Sequence, residues 1–146
     1  MTEILIKRLS KDVTLPKYET EGSSGLDLAA NIADQIEILP GKSAIIPTGL
    51  AVAIPKRFEI QIRPRSGLAA KSQISILNTP GTIDADYRGE LKVILINLSD
   101  KTFIVEKGLR IAQMVLCPVI KATLKEVKVL ESTERGSGGF GSTGIK

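Results

Sequence analysis

Turn-forming residues punctuate this sequence at intervals of roughly ten residues, and the apolar runs between them are short. Gly22 and Gly25, Pro40-Gly41, Pro47 with Gly49, Pro64, Pro80-Gly81 and Arg88-Gly89 divide the chain. No run sustains a helical period, whereas Phe58-Glu59-Ile60-Gln61-Ile62-Arg63 alternates with period two, as a strand with one buried face does. Many short strands with frequent turns imply an all-β sandwich, barrel or jelly roll. Further strands are expected over 2–9, 35–39, 43–54 (broken near Pro47 and Gly49), 102–105, 110–116 and 124–130. Residues 91–98 are apolar on both faces, which predicts a strand buried on both sides. One short helix is expected over 66–71, entered after Pro64 with Ser66 as its N-cap. The stretch 78–90 lies between two strand-like runs, 74–77 and 91–96, and reads as a hairpin tip.

A chain of 146 residues suffices for one domain with a core. Aromatics are 3% of it, so that core must be built from Ile, Val, Leu and Ala. The tail, 131–146, has a different composition. Its glycines are too dense for strand or helix, which predicts a mobile C-terminal arm after a β domain over 1–130.

Several function classes drop out. There is no His and only one Cys, Cys117. Zinc sites of His and Cys, Ser-His-Asp and Cys-His catalysis are therefore excluded, and so is an intrachain disulfide. A general base must then be sought among Asp and Glu, and a metal would be hard and oxygen-bound, such as Mg²⁺. The net charge of +4 and the lack of a basic run speak against a nucleic-acid partner. No apolar run is long enough to cross a membrane and no secretion signal is visible, so the expectation is a cytoplasmic protein. Asn97-Leu98-Ser99 matches the glycosylation pattern by chance.

The reactive groups gather in a few places. Residues 78–90 pack Asn78, Asp84, Asp86, Tyr87 and Arg88 into one stretch. If that stretch is extended, Asp84 and Asp86 share a face, and neighbouring carboxylates tune one another as bases. Arg63 and Arg65 flank the entry to the short helix, where phosphate is favoured. Asp27 and Gln113 are polar positions on apolar runs. In the tail, Arg135, Ser142 and Thr143 offer donors, free glycine amides offer an anion nest, and Phe140 offers a stacking surface. Gly41-Lys42-Ser43 is not a P-loop, because Ile36 stands where its first glycine is needed. Gly136, Gly138 and Gly141 are not a dinucleotide fingerprint, because no helix can follow them.

Five blocks stand in order: residues 24–30 (Ser-Gly-Leu-Asp-Leu-Ala-Ala), 64–71 (Pro-Arg-Ser-Gly-Leu-Ala-Ala-Lys), 78–90, 108–114 (Gly-Leu-Arg-Ile-Ala-Gln-Met) and 135–144 (Arg-Gly-Ser-Gly-Gly-Phe-Gly-Ser-Thr-Gly). Together they closely resemble the five motifs of trimeric deoxyuridine triphosphate nucleotidohydrolases, the dUTPases. The resemblance implies a β jelly roll, a homotrimer whose sites are shared between subunits, and Mg²⁺-dependent cleavage of dUTP to dUMP and pyrophosphate. It assigns Asp84 as the base for the attacking water and Tyr87 as the surface under the deoxyribose. Asn78 and the backbone of Thr82, Ile83 and Asp84 would read uracil. Arg65, Ser66, Gly67 and Gln113 would bind phosphates, and Lys92 would line the substrate. Asp27 would hold a water of the Mg²⁺ shell. From the arm, Arg135, Gly141, Ser142 and Thr143 would close on the phosphates while Phe140 stacks on uracil. The related deoxycytidine triphosphate deaminases share this fold; the arm and the 83–87 sequence favour the hydrolase.

Overall fold

The computed structural model describes residues 2–142, and within them the alternation in the sequence becomes two packed antiparallel sheets. The strands are β1 (Leu5–Arg8), β2 (Leu26–Ala29), β3 (Ile36–Ile38), β4 (Ser43–Ala53), β5 (Phe58–Arg63), β6 (Ile74–Ile76), β7 (Gly81–Ile83), β8 (Glu90–Asn97), β9 (Phe103–Val105) and β10 (Arg110–Pro118); helix α1 (Ser66–Ser72) precedes β6. One sheet runs β1-β4-β8-β6, the other β2-β10-β5-β7, and β3 pairs with β9 beside them. On β5, Ile60 and Ile62 point inward while Arg63 Nη2 donates to Gln61 Oε1 (2.7 Å) and Gln61 Nε2 to Glu59 Oε1 (2.8 Å) outside. Ile46, Val93 and Leu95 of the first sheet meet Leu28, Ile60 and Met114 of the second in one core. Each such side chain contributes about 1.5–3 kcal/mol by leaving water. The result is a jelly-roll-like sandwich and not a closed barrel: among the described residues β1 and β6 are edges of one sheet, β2 and β7 of the other.

Two buried polar side chains are satisfied by bonds to neighbouring strands and loops. Thr48 Oγ1 donates to the Leu91 carbonyl at 2.7 Å. Asn97 Nδ2 donates to the carbonyls of Ile38 and Lys101, and its Oδ1 accepts from Ser99. The Asn97 amide is thus used inside the protein, which agrees with treating its glycosylation pattern as chance. At the surface, Lys107 and Ser10 bind the Asp12 carboxylate and lower its pKa from 3.8 to about 2. That pair fastens the loop after β1 to the turn before β10.

Several expectations need correction. The stretch 78–90 is not a simple hairpin tip. β6 and β8 do pair, with Ile74 opposite Asn97 and Ile76 opposite Leu95, but β7 leaves that sheet and pairs with β5. Gly81 is buried and Ile83 packs against the core, so this short run satisfies the free edge of β5. The turn of Asp84–Tyr87, closed by Tyr87 N–H to the Asp84 carbonyl (3.1 Å), replaces the extended geometry that would put Asp84 and Asp86 on one face. The strand over 43–54 is not broken but bulged between Pro47 and Ala51. Strand β8 is buried on one face only: Leu91, Val93 and Leu95 are inside, whereas Ile94 and Ile96 are half-exposed. No strand forms over 124–130, where Leu124 and Val129 are 93% and 83% exposed, because within the chain that alternation meets no sheet edge. Ser66 is the first helical residue and not the cap; Arg65 takes the N-cap position, without a side-chain cap bond.

Candidate active site

Outside the arm, the candidate residues fall into two clusters, one across the second sheet and the other around the end of β7 and the start of β8. The first is a row across β2, β10 and β5, where Asp27 lies opposite Gln113 and Gln113 opposite Arg63. Antiparallel register puts all three on one face, opposite to buried Leu28 and Ile62. Just past Arg63 the chain turns at Pro64, whose carbonyl accepts from Gln113 Nε2 (3.2 Å). Arg65 then swings back, with Nε 3.1 Å from Asp27 Oδ1. From β10, Arg110 Nη1 donates to the other oxygen, Oδ2, at 2.9 Å. Arg65 also donates to the Arg110 carbonyl (3.4 Å), and Glu19 lies 4.0 Å from Arg110. Ser66 and Gly67 follow, exposed in the first turn of α1.

This cluster sets three guanidiniums, of Arg63, Arg65 and Arg110, against two carboxylates, Asp27 and Glu19. Its donors suit phosphate oxygens: guanidiniums, a carboxamide and a hydroxyl. Among the described residues no group of three or more carboxylates, Cys or His could hold a metal as an all-protein cage. The donor set instead fits a cation bound through phosphates and waters. Both Asp27 oxygens already accept from arginines, and each retains a lone pair for a water. Arg110 is a member of this cluster that reasoning from the sequence left without a role. Its signal was there, three residues before Gln113, but only the register of β10 on β2 reveals that it reaches Asp27.

The second cluster surrounds the β7 turn. The Asn78 amide lies over Gly81, with Nδ2 3.4 Å from where a Cβ there would stand. Thr82 is exposed on β7, Ile83 turns inward, and Asp84 is exposed directly after the strand. Asp84, Ala85 and Asp86 line one side of a cavity of about 840 Å³ whose other walls include Arg57, Phe58 and Ile120. Tyr87 is exposed, and its hydroxyl donates to the Glu90 carbonyl at 3.0 Å. Arg88 closes the turn by donating from Nη1 to the carbonyls of Ala85 (2.7 Å) and Tyr87 (2.9 Å). Lys92 is exposed on β8, with Nζ 3.9 Å from Glu90 Oε2.

The sheet keeps the two clusters apart. Asp84 continues β7 to a level opposite Glu59, which faces Cys117; Gln113 is four residues further along β10. Two strand spacings across and four residues along place Asp84 about 16 Å from Gln113, and Asp27 about 20 Å away.

The arm residues join neither cluster. Residues 131–142 form turns bonded to themselves: Gly138 N–H to the Arg135 carbonyl, Ser142 N–H to Gly139, and Arg135 Nε to the Gly138 carbonyl at 2.9 Å. Several of the amides expected to form an anion nest are therefore engaged within the arm. Phe140 is fully exposed, and Gly141 and Ser142 follow it into solvent. Thr143 lies outside the described residues.

The family described as dUTPase matches residues 11–144 of this chain. The deoxyuridine 5'-triphosphate nucleotidohydrolase of Hydrogenobaculum sp. is 56% identical over 144 residues, covering 99% of both chains. That of Brucella melitensis is 57% identical over 137 residues, covering 92% of this chain and 87% of its own. Among solved structures, the Staphylococcus bacteriophage 80alpha dUTPase with dUPNHPP superposes at a TM-score of 0.88, with 29% identity over 99% of this chain and 100% of that one. Fold, cluster composition and these likenesses converge: the chain belongs to the dUTPase family.

Proposed function

We propose that this chain is a dUTP diphosphatase that cleaves dUTP to dUMP and pyrophosphate at a site completed by three copies of the chain. The observation that carries it is the division of the site. An exposed carboxylate beside an aromatic ring, Asp84 with Tyr87, stands about 16 Å from a phosphate-suited cluster in the same chain. A second copy can set its Arg65, Ser66, Gly67 and Gln113 against the first copy's turn. The highly exposed apolar residues Ile120 and Leu124, and the unpaired 124–130 run, supply surface for such an assembly.

Within this site Asn78 and the backbone of residues 82–84 select uracil, and Tyr87 packs under the deoxyribose. Asp84 takes a proton from a water aligned on the α-phosphorus. Arg65, Ser66 and Gln113 hold the phosphates and meet the charge that moves onto the leaving pyrophosphate. Mg²⁺ bound through the phosphates would supply further charge neutralisation, and Asp27 is the residue that would hold one of its waters. The arm of a third copy closes the site with Arg135, Gly141, Ser142 and Thr143 on the phosphates and Phe140 on uracil, excluding competing water. In a cytoplasmic setting the reaction keeps uracil out of DNA and provides dUMP for thymidylate synthesis. The free Cys117 suits that compartment.

A substrate panel tests the assignment. Incubated with dUTP, dCTP, dTTP and UTP, the protein is expected to release pyrophosphate from dUTP and no ammonia from dCTP. Ammonia from dCTP would replace the hydrolase with a deaminase.

A further inference from the structure

Tyr87 is held by two neighbours, and one of them reports to a distant strand. Its ring lies so close over Gly89 that a Cβ there would sit 2.4 Å from the Tyr87 hydroxyl oxygen. Its hydroxyl then anchors on the carbonyl of Glu90. The Glu90 side chain leaves in the other direction and accepts the Gly49 N–H at 2.9 Å through Oε1. Gly49 sits in the β4 bulge, between Pro47, which faces Lys92, and Ala51, which faces Glu90. The bulge leaves its N–H without a strand partner, and the Glu90 carboxylate supplies one. The backbone there is fixed: Gly49 has φ +69°, and a Cβ would meet Asn31 and Val13 at 2.5 Å. A relay therefore runs from the β4 bulge through the Glu90 carboxylate and carbonyl to the Tyr87 hydroxyl.

We propose that Glu90 is a positioning residue that sets the discrimination between deoxyribose and ribose nucleotides, by fixing the Tyr87 ring against the β4 bulge. The inference rests on the proposed place of Tyr87 under the deoxyribose. A ring held at a fixed height rejects an added 2′-hydroxyl by contact; a ring free to tilt makes room for it. The Glu90 side chain places Oε1 on the Gly49 N–H and Oε2 3.9 Å from Lys92 Nζ.

The test compares kcat/KM for dUTP and UTP, by pyrophosphate release, in the wild type and in Glu90→Ala, Glu90→Gln and Tyr87→Phe, with thermal unfolding measured alongside. In Glu90→Ala the dUTP/UTP ratio is expected to fall about 10-fold or more, the scale of one lost steric or hydrogen-bond discriminator. Glu90→Gln keeps an oxygen for the Gly49 N–H and is expected to stay within about 3-fold of the wild type. Tyr87→Phe leaves the carboxylate in place and cuts the far end of the relay, so its ratio falls as in Glu90→Ala. It also stands in if the alanine variant does not fold. An unchanged ratio in Glu90→Ala or Tyr87→Phe, or a Gln variant as permissive as Ala, would overturn the proposal, and so would a wild type that takes UTP as readily as dUTP. Failure of the wild type to cleave dUTP at all would instead defeat the functional assignment.

Discussion

Replacing Asp84 with Asn is expected to preserve the fold and dUTP binding while lowering turnover by about two to four orders of magnitude, the usual weight of a positioned base. The side chain is exposed after β7 and makes no bond that the turn depends on; the turn is closed by the Tyr87 N–H on the Asp84 carbonyl and by Arg88. Asn keeps size and polarity, so the loss concerns proton transfer alone. Single-turnover kinetics beside a binding isotherm for a non-hydrolysable analogue check this. Normal turnover in the variant would remove Asp84 from the chemistry. A matching loss of affinity would make it a binding group instead.

Deleting residues 131–146 is expected to change unfolding free energy by no more than about 0.5 kcal/mol, as for surface changes that touch no core. The described part of that segment, 131–142, is almost wholly exposed and bonds only to itself. Catalysis is expected to fall by about 10²-fold, because misplaced phosphates and open access to water both raise the barrier. Thermal unfolding and kcat/KM for dUTP on the same preparation check the two halves. Full activity in the truncated chain would show that the arm is no lid.

Strand identity was legible in the sequence because period-two alternation reports which side of a run is buried. That is why β5 falls at Phe58–Arg63 as expected and β10 begins at Arg110. Alternation does not report which sheet a run joins. Gly81-Thr82-Ile83 reads as part of a hairpin tip, and only the free edge of β5 explains its crossing. Nor does alternation report whether a partner exists inside the chain, as the unpaired 124–130 run shows. The chemistry-bearing residues were legible as types, since the absence of His leaves carboxylates to act as bases. Their grouping was not. That Arg110 reaches Asp27, and that Glu90 caps a bulge 41 positions earlier in sequence, are consequences of register between strands. So is the separation of Asp84 from Gln113.

That separation makes chain mixing the most direct measurement. Asp84→Asn chains carry an intact arm, and chains lacking 131–146 carry an intact Asp84. Each is expected to be nearly inactive alone. Co-expressed at equal levels, they should recover about a quarter of wild-type activity, the share of sites in a randomly mixed closed assembly that unite a good turn with another chain's arm. Activity no greater than the sum of the two separate variants would contradict an arm that closes another chain's Asp84 turn.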